Sequence, residues 1–229
     1  MRFDLHVHTE LSPCSRLTVA EVLGQARRRG LDGVCLTDHD TMAVSHLVRE
    51  GRQDDGLCVI IGMEYATAEG DILLFGPFED LPPGLSAGKV LGLARSLGGA
   101  AVAAHPFRAW RPAGPGLLGH PGLTGLEVRN GRNRPEENAA AARFAAERNL
   151  PALAGSDAHD LRELGRMPLD VDGPVRGRAD FVAALLAGRC HLPRPDPMGA
   201  LTFPRPSAIE AHEPQTRPFP ALPDLVPLA

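Results

Sequence analysis

The chain has 229 residues, 43% hydrophobic and 23% charged, with a formal net charge of -4. That composition excludes a fibrous or disordered chain and suits a globular protein able to bury a core. Without a basic block, nucleic acid is not expected as a partner, although local arginines can still hold small anions.

FDLHV, from Phe3, reads as the first strand. LTVAEVLGQARRRG follows as an amphipathic helix stopped by Gly30. LDGVCLTDHD is a second strand running into a polar tip, and a helix is expected from about Met42 to Gln53. LCVIIGMEYAT and DILLFG read as two more strands, Ala87 to Leu97 as a helix, and GAAVAAHP and GLTGLEVRN as strands. PEENAAAARFAAERN is an Ala-rich helix with Pro135 near its start, LPALAGSDAH a strand, and RADFVAALLAG a closing helix.

Repeated β–α units imply a mainly parallel sheet, either open and doubly wound or closed as a barrel. Residues 107–122 interrupt the rhythm with a Gly/Pro-rich loop that holds the single Trp and is placed to act as a lid. From Cys190 onward, 10 of 40 residues are proline, so 190–229 is expected to be a tail without regular helix or central strand. No apolar run approaches the length of a membrane span. The cysteines at 14, 35, 58 and 190 form no CxxC pair, and a strand starting by residue 2 leaves no room for a signal peptide. A reduced, cytoplasmic setting is the expectation. No oligomeric state is implied.

Strand side chains alternate between faces, so Phe3, Leu5 and Val7 are expected on one face and Asp4, His6 and His8 on the other. Two imidazoles at this spacing can share a metal ion. Asp38, His39 and Asp40 end the second strand, Glu64 sits in GMEY, His105 ends AAVAAHP, and Asp157 and His159 end LAGSDAH. Parallel α/β folds place their active sites at such C-terminal strand ends. Of nine histidines, five fall in these positions; His46, His120, His191 and His212 do not. Buried together, they need partners, and a metal cluster supplies partners for all of them. Imidazoles mixed with carboxylates, without thiolate pairs, suit Zn, Mn or Fe.

HVHTELSPCS, LTDHD, GMEY, AAHP and GSDAH, in this order, resemble the PHP (polymerase and histidinol phosphatase) superfamily of metal-dependent phosphoesterases, over roughly Arg2 to Ala187. The resemblance implies a distorted (β/α)7 barrel over residues 1–189, with two to three divalent metal ions at the C-terminal strand ends. It implies His6, His8, His39, Glu64, His105, Asp157 and His159 as ligands, with Glu64 bridging. Two positions depart from the pattern. Cys14 stands where many relatives carry Asp or His, and Asp71 stands where they often carry a ligand histidine. Asp71 can ligate the same ion, with shorter reach and a negative charge.

The implied reaction is hydrolysis of a phosphate ester by metal-bound hydroxide, the ions also neutralising phosphate charge. His159, His39 and Asp157 are the candidates for catalytic proton transfer. Arg108 is the first candidate for clamping the phosphate, with Arg129, Arg132 and Arg134 behind it. Glu127 and Asn130 resemble a polar pair that relatives place near the substrate. The interval from His105 to Asp157 holds no large inserted subdomain, which favours a small phosphorylated metabolite or nucleotide as substrate. The alternatives are a non-catalytic binding or regulatory module, and a C–N hydrolase of amidohydrolase type.

Overall fold

Asp4, His6 and His8 reach the interior because the first strand is central in its sheet. The computed structural model describes residues 1–193. Its strands are β1 (Arg2–Val7), β2 (Gly33–Leu36), β3 (Gly51–Arg52), β4 (Cys58–Ile61), β5 (Met63–Thr67), β6 (Gly70–Phe75), β7 (Ala100–Ala103), β8 (Gly125–Asn130), β9 (Ala152–Gly155), β10 (Leu169–Val171) and β11 (Cys190–His191). The α-helices are α1 (Val19–Ala26), α2 (Ala87–Ser96), α3 (Pro115–Leu118), α4 (Pro135–Arg148) and α5 (Arg178–Leu186).

The strands form two sheets, ordered β11-β10-β1-β2-β4-β3 and β5-β6-β7-β8-β9. β1, β2 and β4 run parallel, as do β7, β8 and β9. The rest is antiparallel: β5 with β6, β6 with β7, and β1 with β10. The fold is thus mixed α/β in two sheets. Among the described residues the ladders do not close into one barrel, in contrast to the sequence expectation. Single bridges connect the sheets: Val7 to Ala158, and His39, after β2, to Glu64 near the start of β5.

Three expectations are corrected in detail. LCVIIGMEYAT is not one strand. It breaks at Gly62, where a Cβ would sit 2.6 Å from the Leu74 carbonyl oxygen, and its halves join different sheets. The segment 42–53 is not a long helix. It forms a single 3-10 turn, Ala43–His46, and then β3, because Gly51 turns the chain at a φ of 95°. The clean alternation expected for β1 also fails. Its register against β2 shifts between Asp4 and Val7, so Phe3 and Leu5 join one core cluster and Val7 the other.

Asp71, Leu73 and Phe75 alternate along β6, so the face that carries Asp71 at the top becomes apolar below it. There Phe3, Leu5, Ile60, Leu73, Phe75 and Val102 are buried against α5. Phe181 of α5 lies 5.2 Å from the Phe3 ring and 5.3 Å from the Phe75 ring, joining the two sheets beneath the site. Local signals set the helix ends: Thr18 and Glu21 form a capping box on α1, and Pro135 opens α4. The proline-rich tail lies outside the described residues from 194, as does His212; its first residues, Cys190–His191, pair with β10. Among the described residues, no helix is long and apolar enough to cross a membrane.

Candidate metal centre

Three of the imidazoles, His6, His8 and His39, come from the first sheet. His6 Nδ1 meets Glu127 Oε1 at 3.1 Å, and His8 Nδ1 meets Ser12 Oγ at 3.2 Å. The Ser12 hydroxyl donates to Asp38 and accepts from the His39 backbone N–H, so it takes the His8 Nδ1 proton rather than giving one. Asp38 is buried; it also accepts from Thr9 N and Thr9 Oγ1, each at 2.7 Å. Both histidines therefore turn Nε2 toward the centre, where the two atoms lie 3.0 Å apart.

The carboxylates come from the second sheet. Glu64 Oε2 lies 3.4, 3.2 and 3.0 Å from His6 Nε2, His8 Nε2 and His39 Nδ1, while its Oε1 lies 2.7 Å from His105 Nε2. Asp157 Oδ1 lies 3.3 Å from His8 Nε2 and 3.7 Å from His6 Nε2. His105 and Asp157 hold positive φ, 31° and 54°, a backbone strain that concentrates at functional sites. His159 hydrogen-bonds the Asp157 carbonyl through Nδ1 at 2.8 Å. His159 and His39 are the imidazoles that reach the opening, with 12% and 39% of their side chains exposed.

The electrostatics ask for a cation. Burial pushes His6 down, yet the charges of Glu127, Asp157 and Glu64 outweigh it and raise His6 well above the usual histidine range. Burial raises Glu64, but the imidazoles around it hold it well below the usual carboxylate range. Asp157 is likewise held low, by His6, His8 and Arg108 against burial. His159 is pushed down to about 3 by burial and His8. The residues fit divalent ions, because paired Nε2 atoms and carboxylate oxygens converge without donors enough to satisfy them. The 3.0 Å between Nε2 atoms matches two ligands of one ion bound at about 2.0–2.1 Å each. Three ligand groups have atoms within 4.8 Å of one another: His6–His8–Asp157, His8–His39–His159 and Glu64–Asp71–His105.

Around these stand the remaining expected residues. Arg108 is buried; it donates from Nη2 to Asp157 Oδ2 at 2.7 Å and to Asn130 Oδ1 at 2.8 Å, and from Nε to Asn133 at 2.9 Å. Its Nη1 donates to no protein group among the described residues. Glu127 and Asn130 are placed differently from the expectation of substrate contact: both are wholly buried. Glu127 accepts from the His105 backbone N–H and from Asn130 Nδ2, so it orients His6 instead. Asn130 holds Arg108, and Asn138 holds the Asn130 backbone. Arg132 faces Glu163 at 3.8 Å, Arg134 pairs with Glu137, and Arg129 is exposed. Cys14 is exposed.

Arg111 is the residue that sequence reading missed. It grips both oxygens of Asp71, at 2.6 and 2.7 Å. Arg108, Trp110 and Arg111 lie on the expected lid, which is strapped down by Ala113 N to Pro106 O and by Gly114 N to Glu69 O. The strap passes so close to Gly70, at a φ of 119°, that a Cβ there would sit 3.0 Å from Ala113 Cα. Trp110 is 76% exposed, with Arg108 Cζ 5.4 Å from its ring centre.

A β–α fold with a buried histidine–carboxylate cluster at its strand ends defines a class, and the comparisons agree with it. Residues 4–102 match the PHP domain, and residues 135–190 match the PHP-associated family. The uncharacterized protein MJ1587 of Methanocaldococcus jannaschii is 31% identical over 144 residues, covering 58% of this chain and 84% of that protein. The chain belongs to the PHP family.

Two solved folds are similar. A protein of Bifidobacterium adolescentis assigned as a metal-dependent phosphoesterase aligns with a TM-score of 0.55 and 21% identity, covering 81% of this chain and 96% of that one. Endonuclease Q, in complex with a 27-mer duplex substrate with an abasic lesion at the active site, aligns with a TM-score of 0.60 and 18% identity. That alignment covers 83% of this chain but only 58% of the endonuclease. PfuEndoQ of Pyrococcus furiosus aligns similarly, with a TM-score of 0.62. The endonuclease overturns the expectation that nucleic acid is not a partner. Net charge is a poor guide where a compact fold of this kind serves an enzyme that acts on a duplex.

Proposed function

We propose that this protein is a metal-dependent phosphoesterase whose ions are held by His6, His8, His39, Glu64, His105, Asp157 and His159. The observation that carries the reading is the convergence of His6 and His8 Nε2, 3.0 Å apart, on the Glu64 and Asp157 oxygens. Zn, Mn or Fe held there supplies Lewis acidity, neutralising phosphate charge and making water more acidic. We read the two sheets as arcs of a distorted barrel whose C-terminal rim carries the centre.

The chain's own residues do the rest. Glu127 keeps the Nδ1 proton of His6 pointing away from the centre, and Ser12 does the same for His8. Asn130 and Asn133 hold Arg108 so that its free Nη1 faces the anionic substrate. His39 and His159, the exposed imidazoles, line the opening through which the leaving alkoxide would depart. Trp110 offers an aromatic face one guanidinium away from Asp157, and a nucleobase is the natural group to stack on it. A free nucleotide meets that pattern. So does a nucleic-acid strand, a second reading favoured by the fold shared with Endonuclease Q.

The test is phosphate release, with Zn, Mn or Fe added, from a nucleoside monophosphate, ribose 5-phosphate and a 5′-phosphorylated oligonucleotide. Quenching of the lone Trp reports base stacking on the same samples. Turnover of at least one phosphate ester, lost on chelation, is expected. Metal bound without turnover of any ester would leave the binding-module reading; release of an amine from amide substrates would support the C–N hydrolase.

A further inference from the structure

Asp71 is nearly buried, at 6% exposure, and one of three side chains whose ligand atoms come together in the Glu64–Asp71–His105 corner. A third ion there would need an Asp71 lone pair. Both Asp71 oxygens already accept from Arg111, Oδ1 from Nη2 at 2.6 Å and Oδ2 from Nε at 2.7 Å. The same Nη2 donates to the Thr67 carbonyl at 3.1 Å, so a second contact on the neighbouring strand holds the guanidinium.

The backbone around Arg111 leaves it little freedom. Its N–H bonds the Arg108 carbonyl at 3.1 Å, and the chain is tied on either side of β6, by Ala113 N to Pro106 O at 2.8 Å and Gly114 N to Glu69 O at 2.7 Å. The guanidinium is a permanent charge whose planar fork matches a carboxylate bidentately. Glu64 is shared among four imidazoles, so Asp71 is the corner's remaining anion, and Arg111 cancels it.

We propose that Arg111 is the resident cation of the Glu64–Asp71–His105 corner, excluding a third divalent ion and leaving a two-ion centre. The proposal rests on the metal-centre reading above. It also gives the guanidinium a second task. Arg111 Nη1 has no protein partner among the described residues, and a third of the side chain is exposed. It therefore offers a substrate oxygen the fixed positive charge that an ion would have offered. Arg108, three residues earlier on the same strap, places its own guanidinium against Asp157 through Nη2.

The experiment is metal stoichiometry, by elemental analysis and by calorimetric titration with Mn and Zn, on the full chain and two variants. The wild type is expected to bind two equivalents, Asp71→Asn two, and Arg111→Met three, the third the weakest. Three equivalents in the wild type would overturn the proposal. So would loss of one equivalent in Asp71→Asn, or two in a folded Arg111→Met. If Arg111→Met does not fold, the wild type and Asp71→Asn decide the question. No bound metal in the wild type would remove the metal-centre reading itself, and this proposal with it.

Discussion

The two sheets contribute unlike halves of the centre. The first brings His6, His8 and His39, and neutral hydroxyls and backbone orient much of it. The second brings Glu64, Asp71, Glu127 and Asp157, together with His105 and His159. It carries the negative charge, and the arginines gather on that side: Arg108 on Asp157 and Arg111 on Asp71. Imidazole nitrogens tolerate burial when their protons are placed. Buried carboxylates need a counter-charge or, as Asp38 has from Thr9 and Ser12, several hydrogen-bond donors, because low dielectric penalises an isolated ion far more than a dipole. The first half is not a metal site alone, since the ligand groups around His6–His8 and His8–His39 both close with a residue from the second sheet.

Glu64→Gln tests the contrast most severely, since it removes the one carboxylate that four imidazoles face. Metal affinity by titration calorimetry is expected to fall by more than the roughly 10–100-fold that loss of an orienting partner costs. A fall of less than tenfold would mean that the carboxylate half is not what holds the ions. Phe181→Ala acts elsewhere, on the contact that joins the sheets through Phe3 and Phe75. It should cost about 3–5 kcal/mol in urea unfolding, the usual range for a buried Phe truncation. A neutral result would show that the sheets hold together without α5. Glu127→Gln is the mildest. It leaves every proposed ligand in place and disturbs only the orientation of His6, so metal affinity should drop about 10–100-fold with little change in the number of ions bound. Loss of one whole equivalent would instead make Glu127 a ligand.

Much of this centre was legible in the chain itself. HxH at the end of β1, the TDH tip of β2 and DxH after β9 are local patterns, and their place at the C-terminal ends of parallel strands brings them together. The division of labour among the other polar residues was not legible. From the sequence, Glu127 and Asn130 are expected at the substrate because they resemble a polar pair that relatives place there. Their burial depends on β9 and His6 packing over them, which no pattern along β8 encodes. Arg111 gave no signal, since an arginine in a Gly/Pro loop reads as solvated, and its partner lies 40 residues away.

The sequence by itself determined the family, the β–α rhythm and the imidazole–carboxylate set at the strand ends, because these rest on short-range spacing and on the two faces of a strand. Only the tertiary structure decided three other things: that Gly62 sends consecutive strands into different sheets, that the ladders form two sheets, and that a guanidinium grips Asp71. Each depends on close approach between distant segments, where steric fit and charge neutralisation in a buried space select one partner among many.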